Sequence, residues 1–104
     1  MTDFEVNVRR EDGTLVIVPS GELDIATVDR VRTALAERSA DESVQIDLRN
    51  LSFLDTSGLQ FVVETHRRAR EEGYPLQILR GSANVHRVFE IAGLDAVLPF
   101  ADVG

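Results

Sequence analysis

Four consecutive residues, Asp55-Thr56-Ser57-Gly58, carry the densest reactive chemistry in the chain: a carboxylate, two hydroxyls and a residue without a side chain. An apolar run precedes them and a helical pattern follows, so they stand where a strand hands over to a helix. Helix N-termini attract negative charge. A phosphate on Ser57 would bring about −1.5 to −2 charges to such an end, which tolerates them without unfolding. Asp55, two residues earlier, would repel the phosphate, so modification should alter the surface field more than the fold. Spacing alone supports a second role. Ser57 followed by Gln60 reads as a capping box, with Ser57 as N-cap. Gly58 would leave the hydroxyl open to a partner's backbone.

Other candidates are weaker. Ser57, His66 and Asp55 supply the residue types of a hydrolase triad, but His66 lies more than two turns down the helix and Gly-x-Ser-x-Gly is absent. His86 has no implied partner. Gly81-Ser82-Ala83-Asn84 precedes a helix without a Walker pattern. Asp24, Asp47 and Asp55 could ligate a metal, but helix capping and strand-end solvation account for them. The chain has no cysteine, which excludes disulfides, thiolate zinc sites and cysteine nucleophiles. No metal, cofactor or catalytic residue is expected.

The elements that must hold these residues follow from periodicity. Phe4, Val6 and Val8 alternate with polar residues, as in a half-buried strand to Arg10. Glu11-Asp12-Gly13 signals a hairpin turn. Thr14 to Ser20 is a second, more apolar strand, ended by Pro19-Ser20-Gly21. Ile25, Val28, Val31 and Leu35 make a helical stripe capped by Asp24. Val44, Ile46 and Leu48 form a third strand interrupted by Asp47, and Leu51 to Leu54 leads into the Ser57 loop. The next helix presents Leu59, Val62, Val63 and His66 on one face and closes at Gly73. Leu76, Ile78 and Leu79 form a fourth strand. A helix capped by Ser82 or Asn84 carries Val85, Val88, Phe89 and Ala92 and ends at Gly93. Val97 to Phe100 is an edge strand or packed tail. The order ββαβαβα with a short C-terminal strand predicts an α/β fold with a mixed, mostly parallel sheet. In such sheets, strand-to-helix loops at the carboxyl ends of the strands collect function.

Composition bounds the function. The 104 residues suit one domain, 43% hydrophobic and 28% charged, an ordinary globular balance. Net charge is −7 and all 11 basic residues are arginine, which argues against direct nucleic-acid binding. Arg67, Arg68 and Arg70 cluster, but Glu64, Glu71 and Glu72 surround them, as on a solvated helix face. No run approaches the roughly 20 apolar residues of a membrane span. The acidic start, Met1 to Glu5, is unlike a signal peptide, so the expected location is cytoplasmic.

Gly21-Glu22-Leu23-Asp24, Asp55-Thr56-Ser57-Gly58-Leu59 and Val88-Phe89-Glu90-Ile91-Ala92-Gly93-Leu94 together resemble, in order, signature stretches of STAS domains, and most closely bacterial anti-sigma factor antagonists. The resemblance implies a single STAS domain over residues 1–104. Its unmodified form would bind an anti-sigma factor, often itself a serine kinase, so that a sigma factor is released. Phosphorylation would switch it off and a serine phosphatase would reset it. The acceptor, immediately before the glycine, carries over to Ser57. Asp24, Asp55, Thr56 and Gly58 carry over as the docking surface beside it. Thr56 stands where serine is frequent and is a second hydroxyl. ATP and magnesium would belong to the kinase. STAS domains also serve as subunits of lipid-transport ATPase complexes, which is the alternative.

Overall fold

The computed structural model describes residues 3–101. Two strands, β1 (Glu5–Glu11) and β2 (Thr14–Leu23), form the opening antiparallel hairpin. Asp12 and Gly13 both have positive φ, 49° and 80°, as a two-residue turn matching the twist of the strands requires. Helix α1 (Val28–Leu35), strands β3 (Ser43–Asp47) and β4 (Leu51–Leu54), helix α2 (Thr56–Glu72), strand β5 (Leu76–Leu79), helix α3 (Ala83–Ile91) and strand β6 (Phe100–Ala101) follow. The sheet runs β1-β2-β3-β5-β6, parallel after the hairpin, with β4 pairing separately to β2. The expected α/β class and mostly parallel sheet are what the chain forms.

Other details depart from the periodicity or decide between its alternatives. Strand β2 does not end at Pro19-Ser20-Gly21 but continues to Leu23. Its first part pairs with β3 through Ile17, and its last part pairs with β4 from Gly21. Between these pairings Val18 to Ser20 pair with β1 alone, leaving the other edge open, where a proline lacking an N–H is tolerated. The register shifts between Gly21 and Glu22. Gly21 has φ 105°, and a Cβ there would lie 3.3 Å from the Asp3 carbonyl oxygen, so glycine fits the bend. Leu51–Leu54, expected as a lead-in, is the strand that receives this bent end. The C-terminal apolar segment resolves into a two-residue edge strand, with Pro99 just before it.

Helix α1 packs on β1, β2 and α2, while α3 packs on β4. One apolar core joins them, with Leu15, Ile17, Ile46, Leu48, Ile78 and Phe89 fully buried. Each long helix buries one stripe. For α2 it is Phe61, Val62, Thr65 and Ala69, not the expected face with Val63 and His66. The stripe follows 3.6-residue spacing from Gly58, whose position is set by the strand before it. Ile25 was expected in the core stripe of α1, but that helix begins only at Val28, and Ile25 is 77% exposed in the preceding turn. Gly73 takes the left-handed conformation at the end of α2, φ 80°, as expected.

Candidate functional site

The paired ends of β2 and β4 create the site. Leu23 stands opposite Leu54 in parallel register, so Asp24 and Asp55, the next residues, emerge side by side at the carboxyl end. The Asp55 N–H donates to the Leu23 carbonyl at 3.1 Å, which ties the two loops together. Two sequence-distant motifs thereby meet at one rim.

Asp55, not Ser57, is the N-cap of α2. Its backbone is extended, φ −103° and ψ −170°, and its Oδ1 accepts from the Ser57 N–H at 2.8 Å and the Gly58 N–H at 3.3 Å. Its carbonyl accepts the first helical bond from Leu59, 3.0 Å. The expected capping box from Ser57 to Gln60 therefore does not form, because Thr56 and Ser57 already have helical backbone. The cause is the strand: β4 keeps the chain extended through Leu54, and a short carboxylate on the next residue reaches the free amides. Ser57 lies half-buried in the first turn, and its hydroxyl has no hydrogen-bond partner among the described residues. Thr56, one position earlier, is exposed.

Gly58 faces inward. A Cβ there would sit 2.9 Å from Leu54 Cγ and 3.1 Å from Leu23 side-chain carbons. Its lack of a side chain lets α2 seat on the ends of both strands, a packing role in place of the expected opening toward a partner.

Asp24 shapes a turn rather than capping α1 directly. Its Oδ1 accepts from the Ala26 N–H at 2.9 Å, and its carbonyl accepts from the Val28 N–H at 2.9 Å. Thr27 locks that turn. Its hydroxyl donates to the Glu22 carbonyl at 2.8 Å and accepts from the Asp24 N–H at 3.0 Å. The role of Thr27 does not follow from hydrophobic periodicity. The signal was present as a hydroxyl three residues after an aspartate, a spacing that closes local side-chain-to-backbone turns.

The remaining candidates lie elsewhere. Asp47 ends β3, 4% exposed, and accepts from the Arg49 N–H at 3.0 Å, Nε at 3.0 Å and Nη2 at 2.8 Å. Burial pushes its carboxyl up, but the Arg49 hydrogen bonds and charge outweigh that and hold it below the ordinary aspartate value. His66 is half-buried on α2, nine residues beyond Ser57 and thus about 13 Å along the axis. No triad is assembled. His86 is buried edge-on to Phe100, ring centroids 4.7 Å apart. Its donor atoms and those of Glu90 and Asp95 approach within 4.8 Å, a metal-type set. However, an Arg80 guanidinium nitrogen lies 3.2 Å from His86 Nε2, a fixed cation that competes with any metal charge.

No helix among the described residues is long and apolar enough to cross a membrane. The family model described as "Mlab, STAS domain" matches residues 6–99. The Anti-sigma F factor antagonist of Paenibacillus polymyxa is 29% identical over 103 residues, covering 96% of this chain and 88% of that protein. A crystal structure of an anti-sigma factor antagonist from Mycobacterium paratuberculosis superposes with a TM-score of 0.83 at 26% identity, covering 94% of this chain and 85% of that one. The unphosphorylated form of the anti-sigma factor antagonist SpoIIAA gives a TM-score of 0.74 at 26% identity, covering 98% and 89%. A match across nearly the whole sheet, including the β2–β4 rim and the start of α2, makes this chain a member of the STAS domain family.

Proposed function

We propose that this chain is an anti-sigma factor antagonist: a binding protein, one STAS domain over residues 1–104, acting in the cytoplasm. In its unphosphorylated form it holds an anti-sigma factor, so that a sigma factor is set free. Phosphorylation at Ser57 switches it off. The relatives' names support the role. The observation that carries the site is the seating of Ser57 in the first turn of α2, beside two aspartates brought together by the Leu23–Leu54 pairing.

The chemistry belongs mostly to the partner. An anti-sigma factor that is a serine kinase would bring ATP and magnesium. Ser57 Oγ attacks the γ-phosphorus, a new O–P bond forms, the bond to ADP breaks, and the hydroxyl proton passes to a base on the kinase. Ser57 suits this because its hydroxyl is not engaged as a cap and because the helix end tolerates the product anion. The phosphoserine then faces Asp55 and the nucleotide phosphates, all of like charge, in a space fitted to a hydroxyl. Repulsion and bulk loosen the complex. Asp24, Asp55 and Thr56 form the docking rim, and Gly58 holds the helix at the right height beneath it. A serine phosphatase would restore the hydroxyl.

Incubation with the cognate kinase and ATP should add one phosphate, found at Ser57 by mass spectrometry. Phosphate on Thr56 alone, or none with a kinase verified on another substrate, would sink this reading. Ser57→Asp should weaken partner binding in calorimetry while the circular dichroism spectrum stays unchanged. A second reading draws on the matched family model, whose description names Mlab rather than an antagonist. Since STAS domains also serve in lipid-transport complexes, the same rim would then hold an ATPase subunit and modification of Ser57 would be incidental. Copurification with transporter subunits instead of a kinase would favour it.

A further inference from the structure

We propose that Ile25 and Phe53 are the apolar anchors of the partner complex, and that the anti-sigma factor meets them with apolar clefts edged by cationic side chains. This rests on the antagonist reading above and says where its binding energy sits.

Five large apolar residues among the described ones are exposed, and two of them flank the Ser57 rim: Ile25 at 77% and Phe53 at 47%. Their placement follows from strand register. Leu23 pairs with Leu54, so Phe53 stands one residue before that pair and Ile25 two residues beyond it. The pair itself is buried, at 0% and 3%. Neither anchor belongs to the apolar core. The turn that carries Ile25 is closed by Asp24 and Thr27, and the Ile25 side chain takes no part in those bonds. Phe53 lies between core residues Leu51 and Leu54, yet stands outside the core. Exposed isoleucine and phenylalanine cost solubility unless a partner covers them, and aromatic anchors near the centre of a contact carry much of its energy.

Charge identifies what covers them. From Ser20 to Val28 and from Leu51 to Gln60 the chain has no basic residue, but it has Glu22, Asp24 and Asp55. Glu22 stands opposite Phe53 and is exposed. These two strand ends and their loops are therefore apolar with an acidic edge, and their complement is apolar with a basic edge. Of the other three exposed apolar residues, Val63 lies on α2, while Ile91 ends α3 and Val97 follows it, apart from the β2–β4 rim. The last two provide an internal control.

The test compares Ile25→Ser, Phe53→Thr and Ile91→Ser with the parent, titrating each into the purified serine-kinase anti-sigma factor of the same organism. Threonine preserves strand propensity at Phe53, and thermal melts verify folding. Each anchor variant should weaken binding at least tenfold, with Ile91→Ser within twofold of the parent. Raising salt from 0.1 to 0.5 M should weaken the parent complex. Folded anchor variants that bind within twofold of the parent, while Ser57→Asp loses binding, would overturn the anchors and leave the antagonist reading standing. Equal losses in all three variants would also overturn them, as nonspecific. Parent affinity that is unchanged or increased by salt would overturn the cationic edge. A parent that does not bind the kinase at all would overturn both this proposal and the antagonist reading.

Discussion

Asp55 does two jobs at one position: it closes the helix end and stands beside the candidate phosphoacceptor. The carboxylate takes the Ser57 and Gly58 amides, so Asp55→Ala removes the cap and should cost about 1 kcal/mol in urea unfolding. Ser57→Ala, by contrast, removes a hydroxyl with no hydrogen-bond partner among the described residues. It should abolish phosphorylation while moving the unfolding midpoint little, within about 0.5 kcal/mol. The pair separates the two roles, which sequence spacing had merged in Ser57. A phosphate on Ser57 would also compete with the Asp55 carboxylate for the same amides, and the Ser57 and Gly58 amide resonances should be among those most shifted on phosphorylation. Asp47 gives a pH signature. Its carboxyl is held below its ordinary value of 3.8, so its stabilisation is fully present above that pH. It fades as pH falls below 3.8 through the folded value. Asp47→Asn should therefore flatten the acid limb of the stability profile in that window.

At the scale of elements, the site depends on how closely α2 sits on β2 and β4. Gly58→Ala adds a methyl that would meet Leu54 Cγ at 2.9 Å, too close for any carbon pair. The helix start must lift or the leucines must move, with an expected cost of about 1–3 kcal/mol. Because the lift carries Ser57 with it, phosphorylation by the cognate kinase should slow in the same variant. Unchanged stability together with an unchanged phosphorylation rate would show that this seat is softer than its geometry. The bend at Gly21 acts at the same scale. It turns the end of β2 away from β3 and toward β4, and so delivers Asp24 to Asp55.

The whole molecule supplies one packed core beneath the small proposed rim. Phe89 of α3 is fully buried, stacked edge-on with Phe100 of the last strand at 5.1 Å, and joins the C-terminal edge to the common core. Phe89→Ala should cost about 3–5 kcal/mol, enough to unfold much of a domain of marginal stability, as a calorimetric scan would show. The net charge of −7 acts at long range, favouring approach of a cationic partner face and making association sensitive to salt.

Much of this was legible in the sequence because the signals are local. Alternation marked β1, three-and-four spacing marked the helices, Asp12-Gly13 marked the hairpin, and Gly73 marked a helix end. The Asp-Thr-Ser-Gly stretch marked the loop of interest, and the family resemblance pointed to Ser57 as its proposed acceptor. Tertiary structure decided the rest. Residues 51–54 are too short to announce a strand and become one only because the bent end of β2 offers them a partner. That pairing keeps the chain extended to Asp55, which moves the cap from Ser57 to Asp55 and leaves the Ser57 hydroxyl without a capping bond. It also sets the start of α2, and with it the face that α2 buries. Local chemistry named the residues, while strand register, a contact between distant segments, decided which of them caps, which packs and which stays exposed.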